Sequence, residues 1–163
     1  MNMDITYRSA IESDVPLILR YIKELAEYEE LLHEVVATED DIRATMFNDN
    51  PKAFAVIAED NGKPVGFAVC FYNYSTFQGK PGIYLEDLYV PKEHRGKGIG
   101  KGFFKYLARR AIDEDCGRIQ WWVLDWNEPS IEFYKSLSAK PMDEWITFRL
   151  EGDSIKELTK IIE

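Results

Sequence analysis

Four glycines alternate along Arg95-Gly96-Lys97-Gly98-Ile99-Gly100-Lys101-Gly102. They follow the apolar run Tyr84-Leu85-Glu86-Asp87-Leu88-Tyr89-Val90 and precede Leu107, Ala108, Ala111 and Ile112, which recur at helical spacing. A strand that enters a helix through glycines presents backbone N–H groups at the helix N-terminus, with no side chain to block an anion. Arg95 and Lys97 add positive charge beside it. A dinucleotide fingerprint needs G-x-G-x-x-G, and no register of these glycines supplies it. A P-loop needs G-x-x-x-x-G-K-[ST]; here Gly102 follows Gly100-Lys101, and Arg95 holds the place of the first glycine. A plain flexible turn does not require four alternating glycines. A phosphate-binding turn is the reading that accounts for all of them.

The helix from about Gly98 to Asp115 then acts as a crossover to a strand over Arg118 to Leu124, so the flanking strands are expected to be parallel. Upstream, Ile5 and Tyr7 mark a first strand. Ser13 is placed to cap a helix running to about Tyr28, with Asp14 and Pro16 in its first turn. Thr38-Glu39-Asp40-Asp41 opens a second helix, which Phe47 and Pro51 close. Ala53 to Glu59 and Pro64 to Tyr74 read as a hairpin turned by Asn61-Gly62, and a loop over Gln78 to Gly82 leads to a strand from Ile83 to Val90. Downstream, Pro129 starts a short helix carrying Phe133 and Tyr134, Trp145 to Leu150 reads as a late strand, and Ser154 caps a last helix. The order β-α-α-β-β-β-α-β-α-β-α predicts an α+β fold.

A chain of 163 residues, 45% hydrophobic and 30% charged, suits one globular domain over 1–163. Its net charge of -9 argues against a nucleic-acid partner and would steer a cationic substrate, although acidity also serves solubility. Two cysteines and two histidines fall in no metal-ligand spacing, so no metal is expected, nor a disulfide framework. The start has neither a basic nor an apolar targeting region, and the apolar run Val65 to Tyr72 is too short to span a bilayer. The expected address is the cytoplasm, with no membrane partner.

Arg95, Gly98 and Gly100 form R-x-x-G-x-G at a strand-to-helix junction. With Trp126-Asn127-Glu128-Pro129-Ser130 and Phe133-Tyr134-Lys135, this resembles the GNAT superfamily of N-acetyltransferases. Ile22-Lys23-Glu24-Leu25-Ala26, Tyr28-Glu29, Tyr84-Leu85-Glu86-Asp87 and Val123-Leu124-Asp125-Trp126-Asn127 narrow the resemblance to the diamine (spermidine/spermine) and thialysine acetyltransferases. It implies a GNAT-type mixed, mostly antiparallel twisted sheet with helices on both faces. It also implies a homodimer that uses acetyl-CoA to acetylate a small-molecule amine. Two departures are visible: Ser138-Ala139 stands where the family usually has Gly-Ala, and the link to the last strand is shorter.

The chemistry fits named residues. An alkyl ammonium has a pKa near ~10.4 and must lose a proton before it attacks a thioester. The resemblance, with a position near the splayed middle of the sheet, assigns that proton to Glu86; the alternative is a strand glutamate facing solvent or an arginine. Asp87 is expected on the opposite sheet face unless a bulge intervenes. Tyr134 matches the family's proton donor to the departing thiolate; by pattern it is also an ordinary packing partner of Phe133. Leu88, Tyr89 and Val90 would pair with the pantetheine arm. Gly96, Lys97, Gly98, Ile99, Gly100 and Lys101, with Arg95, would hold the pyrophosphate. Asn127, Glu128, Pro129 and Ser130 would complete the coenzyme contacts, with Asn127 equally readable as a helix cap. Tyr28, Glu29, Gln120, Trp121 and Trp122 would meet the amine. A non-enzymatic acyl-CoA-binding module and an enzyme acting on protein or peptide amines are the competing functions.

Overall fold

The computed structural model describes residues 4–160, which form two compact units, one up to Trp122 and one from Val123 onward. The first unit holds β1 (Ile5–Ser9), α1 (Val15–Tyr28), α2 (Glu39–Met46), β2 (Phe54–Asp60), β3 (Lys63–Ser75), β4 (Lys80–Tyr89), α3 (Ile99–Asp113) and β5 (Ile119–Trp121). The second holds α4 (Glu128–Ser136) and α5 (Asp153–Leu158). Among the described residues no helix is long and apolar enough to cross a membrane.

The five strands lie in sequence order, β1-β2-β3-β4-β5. All pairings are antiparallel except β4 with β5, which the α3 crossover makes parallel. Asn61 (φ 50°) and Gly62 (φ 77°) turn the β2–β3 hairpin with two successive left-handed residues. Alternate residues of the central strands face opposite layers. Ala55, Ile57, Phe67 and Val69 pack with Val15, Ile18 and Tyr21 of α1 and Ile42 of α2. On the other face, Phe103 of α3 meets Tyr7 edge-on at 5.0 Å, and Phe104 meets Trp121 at 4.8 Å. Helices therefore cover both faces. Phe103 and Leu107 have no exposed surface, and burying each such side chain contributes about 1.5–3 kcal/mol.

Arg8 on β1 ties the start of α1 to the sheet. Its guanidinium donates to both Asp14 carboxylate oxygens, at 2.6 and 3.0 Å, and to Glu59 on β2 at 2.9 Å. The Asp14 carboxylate also accepts from the Ile11 N–H at 2.8 Å. Arg8 holds the Asp14 carboxyl below the usual carboxylate range. This network replaces the expected Ser13 cap: Glu12–Asp14 form a 3-10 turn, and Asp14 is the residue that precedes α1.

Three helices end in the same way. In α1, α3 and α4 the residue after the cap is left-handed: Glu30 (φ 63°), Asp115 (φ 53°) and Ser138 (φ 65°). The following N–H closes onto the last turn in each: Leu31 to Ala26 at 2.8 Å, Cys116 to Ala111 at 2.8 Å and Ala139 to Tyr134 at 3.2 Å. This termination favours glycine, because a Cβ in that conformation crowds the carbonyl. Serine at 138 adopts it nonetheless, since the closing hydrogen bonds outweigh the local cost.

Three further expectations change. β5 covers Ile119–Trp121 rather than 118–124, because its ladder ends at Leu85 with Trp121. Residues 145–150 form no strand; among the described residues the second unit contains no strand to pair with them, and an extended segment needs a ladder. α5 begins after Gly152, not at a Ser154 cap.

Two stability outcomes follow. Ser138→Gly removes the left-handed Cβ and is expected to raise stability by about 0.5–1 kcal/mol in urea unfolding. Gly102→Ala places a Cβ against the Tyr7 hydroxyl and ring, and overpacking there is expected to cost about 1–3 kcal/mol in the same measurement.

Candidate active site

The site elements of the first unit gather where β4 changes register. Val69 on β3 pairs with Asp87, but the next residue, Cys70, pairs with Leu85. Glu86 is the extra residue of a β-bulge, which bends the strand and re-aims its side chains. Leu85 pairs with Cys70 and Trp121 on the α3 side. Asp87, opposite Val69, lies with the α1 layer, as does Tyr89 opposite Phe67. The sequence expectation that Asp87 points away from the acceptor side therefore gives way, through the bulge that was its stated exception.

The electrostatics follow from that placement. Burial raises the Asp87 carboxyl to about 7, and the nearby charges of Glu86 and Glu29 push in the same direction. Burial also raises Glu29, the C-terminal cap residue that follows α1. Three carboxylates from two elements thus act on one locus. Tyr84, two residues before Glu86, has its hydroxyl raised by burial and by the Glu86 charge. Its ring stacks on Phe71 at 4.9 Å and meets Trp122 edge-on at 6.0 Å. A carboxyl that titrates near neutrality can take a proton from an ammonium and release it to water. Asp87 is the titratable group of this locus that the sequence reading did not single out. Its signal was the Glu86-Asp87 pair itself, which a bulge brings to one face.

The strand expected to face the amine divides. Tyr84 pairs with Gln120, so Gln120 lies on the α1 side, and Trp122 follows it there through its contact with Tyr84. Trp121 turns the other way, onto Phe104 of α3. The Gln120 side-chain carbonyl accepts from Asn73 Nδ2 at 2.9 Å, which fixes that end of the strand. Tyr28 is half-exposed at the last position of α1, immediately before Glu29.

Past Leu85 the β4 edge that faced β5 has no ladder. Leu88, Tyr89 and Val90 lie beyond that point, ahead of the glycine turn. Gly96 (φ 73°) and Gly98 (φ 81°) are both left-handed, and a Cβ on either would meet nothing within 4 Å. These two glycines are required by backbone shape, and the space before them is open. Gly98 is the N-cap of α3 and offers no side-chain cap, so the first-turn N–H groups of Ile99, Gly100 and Lys101 face outward. An uncapped helix start behind an open turn, flanked by exposed Lys97 and Lys101, fits a pyrophosphate. The last glycine serves packing instead: Gly102 lies against Tyr7, whose hydroxyl donates to the Ile99 carbonyl at 2.9 Å. The Arg95 guanidinium is turned onto the Val90 carbonyl at 2.9 Å and over the Tyr28 ring at 4.8 Å.

In the second unit Asn127 is buried and caps α4, its Oδ1 accepting from the Ser130 N–H at 3.4 Å. Glu128 and Pro129 occupy the first turn. Tyr134 lies on the same helix, its ring 5.5 Å from that of Phe133.

The profile of the acetyltransferase (GNAT) family matches residues 19–138. The thialysine N-epsilon-acetyltransferase of Sus scrofa is 41% identical over 93% of this chain and 95% of its own length. The spermidine/spermine N(1)-acetyltransferase-like protein 1 of Homo sapiens is 37% identical over 93% of this chain and 23% of its own. Among solved structures, an integron cassette protein from the mobile metagenome of V. cholerae superposes with a TM-score of 0.80 at 26% identity, covering 98% of this chain and 99% of that one. A glycine turn opening α3, a register slip that gathers carboxylates, and matches over most of the chain agree: the protein belongs to the GNAT acetyltransferase family and is an acetyltransferase enzyme.

Proposed function

We propose that the protein transfers the acetyl group of acetyl-CoA to the primary amine of a thialysine-like small molecule, by direct attack in a ternary complex. The observation that carries this reading is the bulge at Glu86, which turns Asp87, with a carboxyl near 7, to the side of Glu29. Identity of 41% to a thialysine acetyltransferase supports the acceptor class. When bound, acetyl-CoA supplies the acetyl thioester. Gly96 to Lys101 hold its pyrophosphate on the α3 N-terminus, and the open β4 edge at Leu88, Tyr89 and Val90 offers backbone groups to the pantetheine arm. Asn127, Glu128, Pro129 and Ser130 complete the coenzyme contacts.

Tyr28 and Glu29 bind the ammonium, with Gln120 and Trp122 along the facing strand. The Glu86–Asp87 pair accepts the proton that the ammonium must lose before its nitrogen attacks. Burial raises the proton affinity of Asp87, and the like charges of Glu86 and Glu29 beside it act in the same direction. Tyr134 gives a proton to the thiolate as the carbon–sulfur bond breaks. The enzyme is a cytoplasmic homodimer. A second reading, a polyamine acceptor, is favoured by the three carboxylates Glu29, Glu86 and Asp87, since a polycation needs several acidic contacts.

The deciding measurement is release of CoA from acetyl-CoA with thialysine, lysine, putrescine, spermidine, spermine and short lysine peptides. Thialysine is expected to have the highest kcat/KM. Preference for spermidine would move the assignment to the polyamine reading, and turnover of peptides alone would overturn both.

Asp87→Asn is expected to lower kcat/KM by roughly 10²-fold or more and to remove an ionisation near pH 7 from its pH profile. An unchanged profile would take the proton from Asp87. The same substitution has an opposite effect on stability. The folded pKa of Asp87, about 7, lies above the ordinary ~3.9 of an unfolded aspartate. Its stabilising contribution is therefore fully present below about pH 4 and is lost as pH rises through about 7. Asp87→Asn is expected to melt several degrees higher than wild type at pH 8 and close to it at pH 4. Tyr134→Phe is expected to lower kcat at least tenfold with little change in the acetyl-CoA Kd; wild-type turnover would remove its role as acid.

A further inference from the structure

Arg95 begins the phosphate motif, yet its side chain is engaged elsewhere. Its Nε donates to the Val90 carbonyl at 2.9 Å. Its guanidinium lies over the Tyr28 ring at 4.8 Å and within 5.8 Å of the Tyr89 ring. These three contacts come from separate parts of the site. Tyr28 is the last residue of α1 and precedes Glu29. Tyr89 ends β4, two residues beyond Asp87. Val90 starts the turn that carries Gly96 and Gly98.

We propose that Arg95 is a positioning residue that clamps the acceptor corner of α1 to the end of β4 and so couples amine binding to the coenzyme turn. The chemistry suits arginine. A planar, weakly hydrated guanidinium stacks on aromatic faces while its edge still donates to a carbonyl. Tyr89 is itself anchored, by its ring contact with Tyr21 at 5.7 Å. Tyr28 is 40% exposed, and its place at the end of α1 leaves its ring free to rotate unless something holds it. Arg95 supplies that hold from the segment that also carries the left-handed Gly96 and Gly98. Ordering the turn around an anion fixes Arg95, and Arg95 fixes the ring beside Glu29. The effect is reciprocal, as any such coupling must be.

What the two coupled sites hold rests on the acetyltransferase reading; the clamp itself does not, and two experiments keep the failures apart. In the first, 3-fluorotyrosine is incorporated at position 28 of the full-length protein and followed by ¹⁹F NMR. Arg95→Met is expected to move the resonance and change its width, with Arg95→Lys intermediate. A spectrum unchanged by Arg95→Met overturns the clamp, whether or not any amine is acetylated. The second is a double-mutant cycle of Arg95→Met with Tyr28→Leu, read as the KM for thialysine in the acetylation assay. Each single change is expected to raise that KM roughly three- to tenfold, and the double variant is expected to be no worse than the weaker single by more than about twofold. Arg95→Lys is expected to recover part of the loss. Effects that multiply, or a loss confined to the acetyl-CoA Kd with the amine KM unchanged, overturn the coupling. A wild type that acetylates no amine refutes the proposed function instead, and the fluorine spectrum still decides the clamp.

Discussion

Between Val69 and Cys70 the ladder of β3 and β4 slips by one residue, and the whole site depends on that slip. Strand side chains alternate, so one inserted residue reverses the facing of everything beyond it. Without the bulge, Asp87 would enter the α3 layer that holds Phe103 and Leu107. Tyr89 would leave Tyr21, and Leu88 would leave the α3 side. With it, Asp87 and Tyr89 join the α1 layer while Leu88, opposite Ala68, stays with α3. The slip also explains where β5 stops. Its parallel ladder ends at Leu85 with Trp121, one residue before the bulge, because a bent strand cannot keep a regular parallel register. The edge freed beyond that point lies next to the carboxylates, so one backbone irregularity supplies both an acidic locus and an open strand edge.

Gathering carboxylates in a half-buried place opposes folding, because each ionised group loses water and faces like charge. The rest of the first unit offsets that cost. Its two-sided core leaves Ile57, Phe67, Phe103 and Leu107 with no exposed surface. Away from the site the opposite electrostatic choice is made: Arg8 meets Asp14 and Glu59 directly, and the Asp14 carboxyl is lowered rather than raised. Both aspartates are largely removed from solvent. The guanidinium beside one, and the two carboxylates beside the other, separate a group that secures β1 to α1 from a group able to exchange protons near neutrality.

Local rules made much of this legible. Asn61-Gly62 marks its hairpin, Thr38 and Asp41 mark the start of α2 through reciprocal hydrogen bonds, and the alternating glycines mark the strand-to-helix turn. These signals need only neighbours in the chain. What the sequence left hidden depends on distant partners. Ser13 looks like a cap until Arg8 claims Asp14. Trp121 looks like a member of an aromatic acceptor strand until its pairing with Leu85 sends it to Phe104. Trp145 to Leu150 has strand composition but meets no ladder within its unit. Alternation alone puts Asp87 on the face opposite Glu86 unless a bulge intervenes, and nothing in Leu85-Glu86-Asp87-Leu88 announces that bulge; the pairing with β3 creates it.

The glycine turn shows how a motif can mix functions that the sequence presents as one. Gly96 and Gly98 are needed for their left-handed backbone and for the open approach to α3. Gly102 is needed because Tyr7 fills the space a side chain would take, while the Tyr7 hydroxyl secures the Ile99 carbonyl. Arg95, at the head of the same motif, reaches back to Tyr28 and Val90. One short segment therefore shapes an anion cradle, seats α3 on the sheet and contacts the helix that carries Glu29. Only the first of these is visible in the spacing of the glycines. The other two arise because a turn narrow enough to expose its N–H groups must lie close to whatever packs beneath it, so the cradle and its supports cannot be altered independently.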